Sequence, residues 1–419
     1  MRTVSKTVIG VDFGTQSARA VLVNAENGEI IYSCRKEYPY NSTPVPAIDC
    51  AENLPCATDY EMTLYELLRN VIPEEYRKTV AGICVDATSL TMVLLAEDGR
   101  ALSELDGWSE AAHARVKLWK YHRAQEKADE ALNLARNLQE PFLGRTGGSI
   151  SCEWMLPKLL EVRDEAPEIY SKIDLAMDLC EFLTFRLTGQ LVRSIGSLSY
   201  KCLWAEDLSF PERTFLNGLR AGFYEEYCHF LRGDVRKLGE CAGVLRSELT
   251  KRWGLPEQIP VATGMLDGHT SLATMGAFEP GDAALIVGTS NVCTVQDRKL
   301  QELKDVCGVA QDGMVTGSCG IDTGQSSTGN MLGWFVEHMA GWQIHREAEE
   351  RKISPHQVLA ERIQKPWENK VIAVDWWSGS RNAPCDLTLR GSMSGLEMDT
   401  KAEDIYLALL QAIACGTGT

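Results

Sequence analysis

The sequence has no apolar run approaching the ~18 consecutive residues of a membrane helix. It has no lysine- or arginine-rich run either, and its net charge is −16. A nucleic acid or an anionic membrane needs a basic face, so neither is an expected partner. The same charge repels an anionic substrate at long range, so a phosphate has to be held by local turns. A neutral sugar meets no such penalty. Histidine is scarce, at seven residues, and forms no metal-ligand cluster, which argues against a zinc site. Cysteine is plentiful, at fourteen, but dispersed and without a Cys-x-x-Cys pair. Such cysteines read as small buried apolar groups of a reduced protein. With no apolar segment of a secretory signal near the N-terminus, the expected location is the cytoplasm. Low-complexity tracts and short-period repeats are missing too.

What is present is ordinary in bulk: 44% apolar and 24% charged residues over 419 positions. One core rarely grows past about 250–300 residues, so at least two domains are expected. Residues 6–38 read as three strands with an Asn27-Gly28 turn. Apolar spacing predicts helices over 59–77, 111–137, 153–164, 173–187, 325–340 and 402–417, with Gly189 as a cap. A new block starts near Leu255-Pro256, and 259–264 reads as a strand entering a second domain. The expected domains are therefore 1–254 and 255–419.

The most informative stretch runs from Val8 to Val23. An apolar strand ends in Asp12, turns through Gly14-Thr15-Gln16-Ser17 and re-enters an apolar strand. The backbone N–H groups of such a turn, with the Thr15 and Ser17 hydroxyls, can surround a phosphate. Asp12 can hold a hydrated Mg²⁺, a hard cation that takes oxygen ligands. Alone, this turn reads better as an ordinary hairpin. Two further copies change that. Ile83 to Ser89 runs from a strand into Asp86-Ala87-Thr88-Ser89, and Ala284 to Val295 turns through Gly288-Thr289-Ser290. Two strand–Gly-Thr–strand hairpins in different halves point to two related domains facing one phosphate chain.

The opening Asp12-Phe13-Gly14-Thr15-Gln16-Ser17-Ala18-Arg19-Ala20 resembles the FGGY carbohydrate kinases. Within that family the sequence is most similar to the ribulokinases, through Val116 to Lys120, Gly147 to Lys158, Ser199 to Trp204, Gly324-Gln325-Ser326 and Asp375 to Arg381. The resemblance implies an α/β fold with two ribonuclease H-like domains of the actin and hexokinase type around a central cleft. It implies ATP and Mg²⁺ as cofactors and a pentulose as substrate, with ribulose going to ribulose 5-phosphate. A homodimer is one assembly open to it.

Phosphoryl transfer to a hydroxyl needs phosphate donors, a dication and a carboxylate near the attacking oxygen. Asp267, in Gly264-Met265-Leu266-Asp267-Gly268-His269, is the candidate base. Read from the pattern alone, it is equally a turn aspartate capping the next helix. The family's base lies in such a segment. By the same resemblance Lys201 and Trp119 belong to the sugar pocket, where pattern alone makes them a surface lysine and a core tryptophan. Asp322 stands where the family has a glutamate on the sugar and is one methylene shorter. Asp86 and Thr88 either approach the sugar or cap their strand. The family's glycine-rich adenosine segment has no counterpart after the 402–417 helix, so the second domain is expected to be incomplete. Two other readings stay open: an inactive sugar-binding relic of such a kinase, and a nucleotide-dependent chaperone or filament protein of the same superfold. The Trp119-Lys120 and Asp375-Trp376-Trp377 segments argue against the last.

Overall fold

A computed structural model describes residues 6–38, 54–380, 386 and 388–418. Arg381, which ends one of the family-like motifs, lies outside them. The first three strands, β1 (Thr7–Phe13), β2 (Ser17–Asn24) and β3 (Ile30–Glu37), form an antiparallel meander. Period-two alternation puts Ile9, Val11 and Phe13 on the buried face. Helix α1 (Ala57–Val71) covers that face with Tyr60, Leu64, Leu67, Leu68 and Val71, one stripe at helical spacing. It stops short of Pro73, so the helix expected to reach 77 ends early. Strand β4 (Val80–Ala87) then joins β1 in parallel, and Asp12 comes to lie beside Asp86.

The chain next leaves the sheet to build a second core. There β5 (Met92–Leu95) meets α2 (Gln125–Leu138), α3 (Met155–Glu165) and β6 (Leu175–Asp178). The helix expected over 111–137 is real only from Gln125. Its first part is a connecting segment in which Met92 and Lys117 exchange backbone hydrogen bonds. The helix expected over 173–187 also splits. Leu175–Asp178 pairs with β5, and α4 (Leu179–Thr188) follows, ending at Gly189. A short apolar run such as Leu-Ala-Met does not distinguish strand from helix by periodicity. Helix α5 (Ile195–Lys201) closes this part.

Strand β7 (Cys241–Val244), β8 (Pro260–Ala262) and β9 (Met265–Leu266) return to the first sheet. Its order is β3-β2-β1-β4-β8-β7, with β9 also on β4. The 259–264 strand therefore does not enter a second domain. Val261 pairs with Ile83 in parallel, because the sheet still has an open edge at β4 that an apolar strand completes. Helix α6 (Asp267–Met275) leads away to a second, four-stranded antiparallel sheet. Its strands are β10 (Ala283–Val287), β11 (Asn291–Asp297), β12 (Gly308–Gln311) and β13 (Cys319–Gln325), in the order β10-β11-β13-β12. Helices α7 (Thr328–His338) and α8 (Ala402–Thr417) share a core with Phe335, Tyr406 and Leu409 at its centre.

One aromatic ring joins the two halves. Tyr200, on α5, sits among Gly308, Gly313 and Gly320 of the second half, and donates its hydroxyl to the Gly320 carbonyl at 2.7 Å. A Cβ at any of the three glycines would fall within 2.5–2.7 Å of the ring or its oxygen, so no side chain fits there. Among the described residues the cysteines are free, and no helix is long and apolar enough to cross a membrane.

Candidate active site

Parallel strands deliver their C-terminal ends to one edge of a sheet, where ligands of α/β proteins collect. Here β1 and β9 both run parallel to β4, and each strand has an aspartate one residue from its C-terminal end: Asp12 and Asp86 just before it, Asp267 just after. Three carboxylates at one edge cannot all ionise freely. Burial, then the Asp12 charge and a hydrogen bond with it, then Asp267, push Asp86 up to about 8. Burial pushes Asp267 up to about 6 against the pull of the Gly268 N–H; the Asp12 charge adds to the rise, and the Ser89 N–H and Lys201 oppose it. The two environments thus set Asp86 above Asp267, so that Asp267 gives up its proton more readily of the two. The Gly268 N–H donates to Asp267 Oδ1 at 2.6 Å, fixing the carboxylate relative to its own helix start.

The two Gly-Thr turns are both present as antiparallel hairpin turns, 14–16 and 288–290. The Asp86-Thr88 copy is different: it ends a parallel strand, and the Thr88 N–H donates to the Phe13 carbonyl at 2.8 Å. Gly14 takes the Tyr38 hydroxyl on its carbonyl, and Thr15 accepts the Trp119 indole N–H at 3.1 Å. That bond ties a residue expected in the sugar pocket to the expected phosphate turn. Gln16 is exposed. Ser17, between the last β1–β2 pair (Phe13 and Ala18), is buried, pairs with Glu37 of β3 and accepts from Arg35 at 3.1 Å. In the second turn Ser290 accepts the Ser327 N–H at 2.9 Å, and the Thr289 carbonyl accepts the Gly329 N–H at 3.1 Å. Gly329 allows this contact, since a Cβ there would lie 2.3 Å from the Gly288 carbonyl oxygen. The start of α7 is thus braced against the turn, and anion-binding N–H groups have to come from the turn itself.

Lys201 and Asp322, both expected on the sugar, are bonded to each other at 3.1 Å and buried. His269 Nε2 stands 3.6 Å from the same Asp322 oxygen. Burial raises Asp322, but Lys201 and His269 outweigh it and hold the carboxyl well below the usual range. Burial lowers Lys201, but Asp322 more than offsets that and leaves it above its ordinary value. Burial lowers His269 more than Asp322 raises it. Its Nδ1 is buried with no hydrogen-bond partner, a polar atom turned to no protein group. The pair spans the two halves, from α5 to β13.

Among the described residues no three His, Cys, Asp or Glu side chains come together to hold a metal ion. Asp12 and Asp86, adjacent in register, still fit a hard dication. Mg²⁺ is held in this way, by one or two carboxylates plus phosphates and waters. Asp12 also pairs with Arg19 at 3.0 Å on the surface. A cavity of about 420 Å³ lies elsewhere, lined by residues such as Phe142, Trp204 and Val309 and by none of these acids. His269, beside the Lys201–Asp322 pair, stands in a quoted motif but had no signal of its own beyond its place two residues after Asp267.

Residues 7–274 match the N-terminal domain, and residues 283–418 the C-terminal domain, of the FGGY family of carbohydrate kinases. A ribulokinase of Halalkalibacterium halodurans is 34% identical over 423 residues, which take in 99% of this chain and 75% of that protein. A ribulokinase of Mycolicibacterium smegmatis is 36% identical over 424 residues, 98% of this chain and 75% of its own. Among solved structures, a xylulose kinase from Lactobacillus acidophilus superposes with a TM-score of 0.76 at 18% identity, over 98% of this chain and 77% of that one.

Proposed function

This chain belongs to the FGGY family of carbohydrate kinases, and we propose from that premise that it moves the γ-phosphoryl group of ATP to a pentulose, ribulose above others. Ribulose 5-phosphate and ADP are the products. The observation that carries the reading is the place of Asp267: half-buried at the edge where three parallel strands end, its carboxylate fixed by the Gly268 N–H and within the influence of Lys201.

In this reading the terminal sugar hydroxyl lies against Asp267, which orients it and takes its proton as the oxygen attacks the γ-phosphorus. The bond from that phosphorus to the β,γ-bridging oxygen breaks, and ADP leaves. The turns at 14–16 and 288–290 hold the phosphates from the two halves. Lys201, held by Asp322, and Trp119, held on Thr15, line the sugar side. Asp12 and Asp86 would hold Mg²⁺, which would supply charge neutralisation of the phosphates. An inactive relic is not favoured, since relatives named as ribulokinases match along 98–99% of the chain. Sugar-dependent ADP release with ribulose, xylulose and glycerol compared side by side tests the reading. No sugar-stimulated turnover with any of them would overturn it.

Two further outcomes follow from the same assignments. Because Asp267 works only when deprotonated, kcat/KM is expected to fall on the acid side with an apparent pKa near 6. A flat profile from pH 5 to 8 would contradict its role. Asp12→Ala is expected to weaken Mg²⁺-dependent nucleotide binding about 10–100-fold, the loss of one charge-assisted contact, and to leave ribulose binding within about twofold. Titration calorimetry with each ligand checks this, and the reverse pattern would reassign Asp12 to the sugar.

A further inference from the structure

The cavity of about 420 Å³ that lies away from the three aspartates falls within the size range of small-molecule sites, about 300–1,000 Å³. It lies at the seam between the two halves. Residues between 140 and 146 and between 203 and 212 wall it from the first half, and Leu300 with Val309 to Gln311, on strand β12, from the second. Backbone bonds close the seam beside it. The Leu303 N–H donates to the Gly144 carbonyl at 3.1 Å, and the Asp305 N–H to the Gly147 carbonyl at 3.0 Å. Trp204, the last residue of a ribulokinase-like motif, stands in this wall, and phosphoryl transfer as set out above does not use it.

The wall combines aromatic rings with polar atoms that nothing answers. Phe142, Trp204 and Phe210 supply the rings. Glu140 and Thr146 are 6% and 5% exposed, and Glu140 Oε2 and Thr146 Oγ1 have no hydrogen-bond partner. A buried acceptor in that state is unfavourable until a donor reaches it. Among the described residues that line the cavity, Glu140, Glu206, Asp207 and Glu212 carry negative charge and Arg145 alone carries positive. Arg145 is already taken, since both its terminal nitrogens donate to Asp207 at 2.8 Å. The wall therefore holds surplus negative charge next to rings whose faces attract a cation. A nucleotide or a sugar phosphate, each an anion, is repelled there.

We propose that this cavity is a second ligand site, separate from the kinase centre, and that it takes a small organic ammonium with a flat apolar body. The ammonium donates to Glu140, and the body lies against Phe142, Trp204 and Phe210. Ser199, also in the wall, is two residues before Lys201 on α5, so the ligand touches both halves and rests against the helix that carries the sugar-facing lysine.

The test is titration calorimetry on the full chain with three probes of one shape: tryptamine, a cation; 3-ethylindole, which is neutral; and indole-3-propionate, an anion. Tryptamine is expected to bind with Kd about 1 mM or tighter, and at least about tenfold more tightly than the anion, with 3-ethylindole between them. Glu140→Gln keeps the shape and removes the charge, and is expected to weaken tryptamine about tenfold or more while leaving 3-ethylindole within about twofold. Glu212→Gln, at an exposed position, serves if Glu140→Gln does not fold, with a loss of about threefold expected. Saturating ribulose should not displace tryptamine. No saturable binding of tryptamine, equal binding of cation and anion, binding untouched in the folded variants, or competitive displacement by ribulose would each overturn the proposal.

Discussion

Asp267→Asn is expected to lower kcat by about 10²–10⁴, the range for removing a positioned general base. The carboxylate accepts the Gly268 N–H through Oδ1. The amide oxygen of the variant can keep that bond, and its NH₂ then replaces the oxygen that would take the proton. Volume is conserved, and the neighbouring Asp86 loses a like charge, so the fold is expected to survive. Sugar binding should stay close to normal, because the pocket walls and the Lys201–Asp322 pair are untouched. Single-turnover measurement of ADP release, with sugar binding followed separately, checks this. A kcat within a few-fold of wild type would remove Asp267 from the chemistry.

Lys201→Met is expected to cost about 3–5 kcal/mol of stability, the usual consequence of stripping one partner from a buried ion pair. Asp322 would remain buried, with only His269 3.6 Å away to answer its charge. The pH dependence has a definite sign. In the wild type, Asp322 is held below its ordinary value, so its contribution is present above the normal carboxylate range and is lost as pH falls through the depressed value. Lys201 is held above its ordinary value, so its contribution is present below about 10.5 and is lost as pH rises through the elevated value. The pair thus stabilises across the neutral range. In the variant only His269 still pulls Asp322 down while burial raises it, and protonation relieves the poorly paired charge in mild acid. The stability gap, read from urea midpoints, should be widest near pH 7 and narrow toward pH 4. A gap that is small at pH 7, or that widens in acid, would mean that Asp322 finds another cation. The variant should also bind the pentulose more weakly, since the lysine side chain lines the sugar side.

Strand ends were readable because an apolar run closing on Asp12, Asp86 or Asp267 carries its own punctuation, and both Gly-Thr hairpins lie where their turns predict. Elements set by distant partners were not. Residues 115–124 have helical composition, yet Lys117 and Leu118 turn their carbonyls to a lysine some forty positions away. Leu175–Asp178 becomes a strand because β5 offers it an edge. Val261 completes the first sheet for the same reason, which carries the first half further along the chain than a break at Leu255-Pro256 implies. Ser17, inside the loop that the Phe13–Ala18 pair closes, also pairs with Glu37 of β3, and no local pattern reveals that Arg35 takes its hydroxyl. Asp322 and Lys201, each read as a sugar ligand, lie 121 residues apart, and no local pattern reveals that they bond to each other first.

The glycine-walled seat of Tyr200 has a mechanical consequence. A ring enclosed on three sides and bonded to the Gly320 carbonyl cannot slide or withdraw without losing its burial and its hydrogen bond together. The ring therefore works as a dowel between α5 and the second sheet, and the Lys201–Asp322 bond, which starts from the next residue along α5, crosses between the halves beside it.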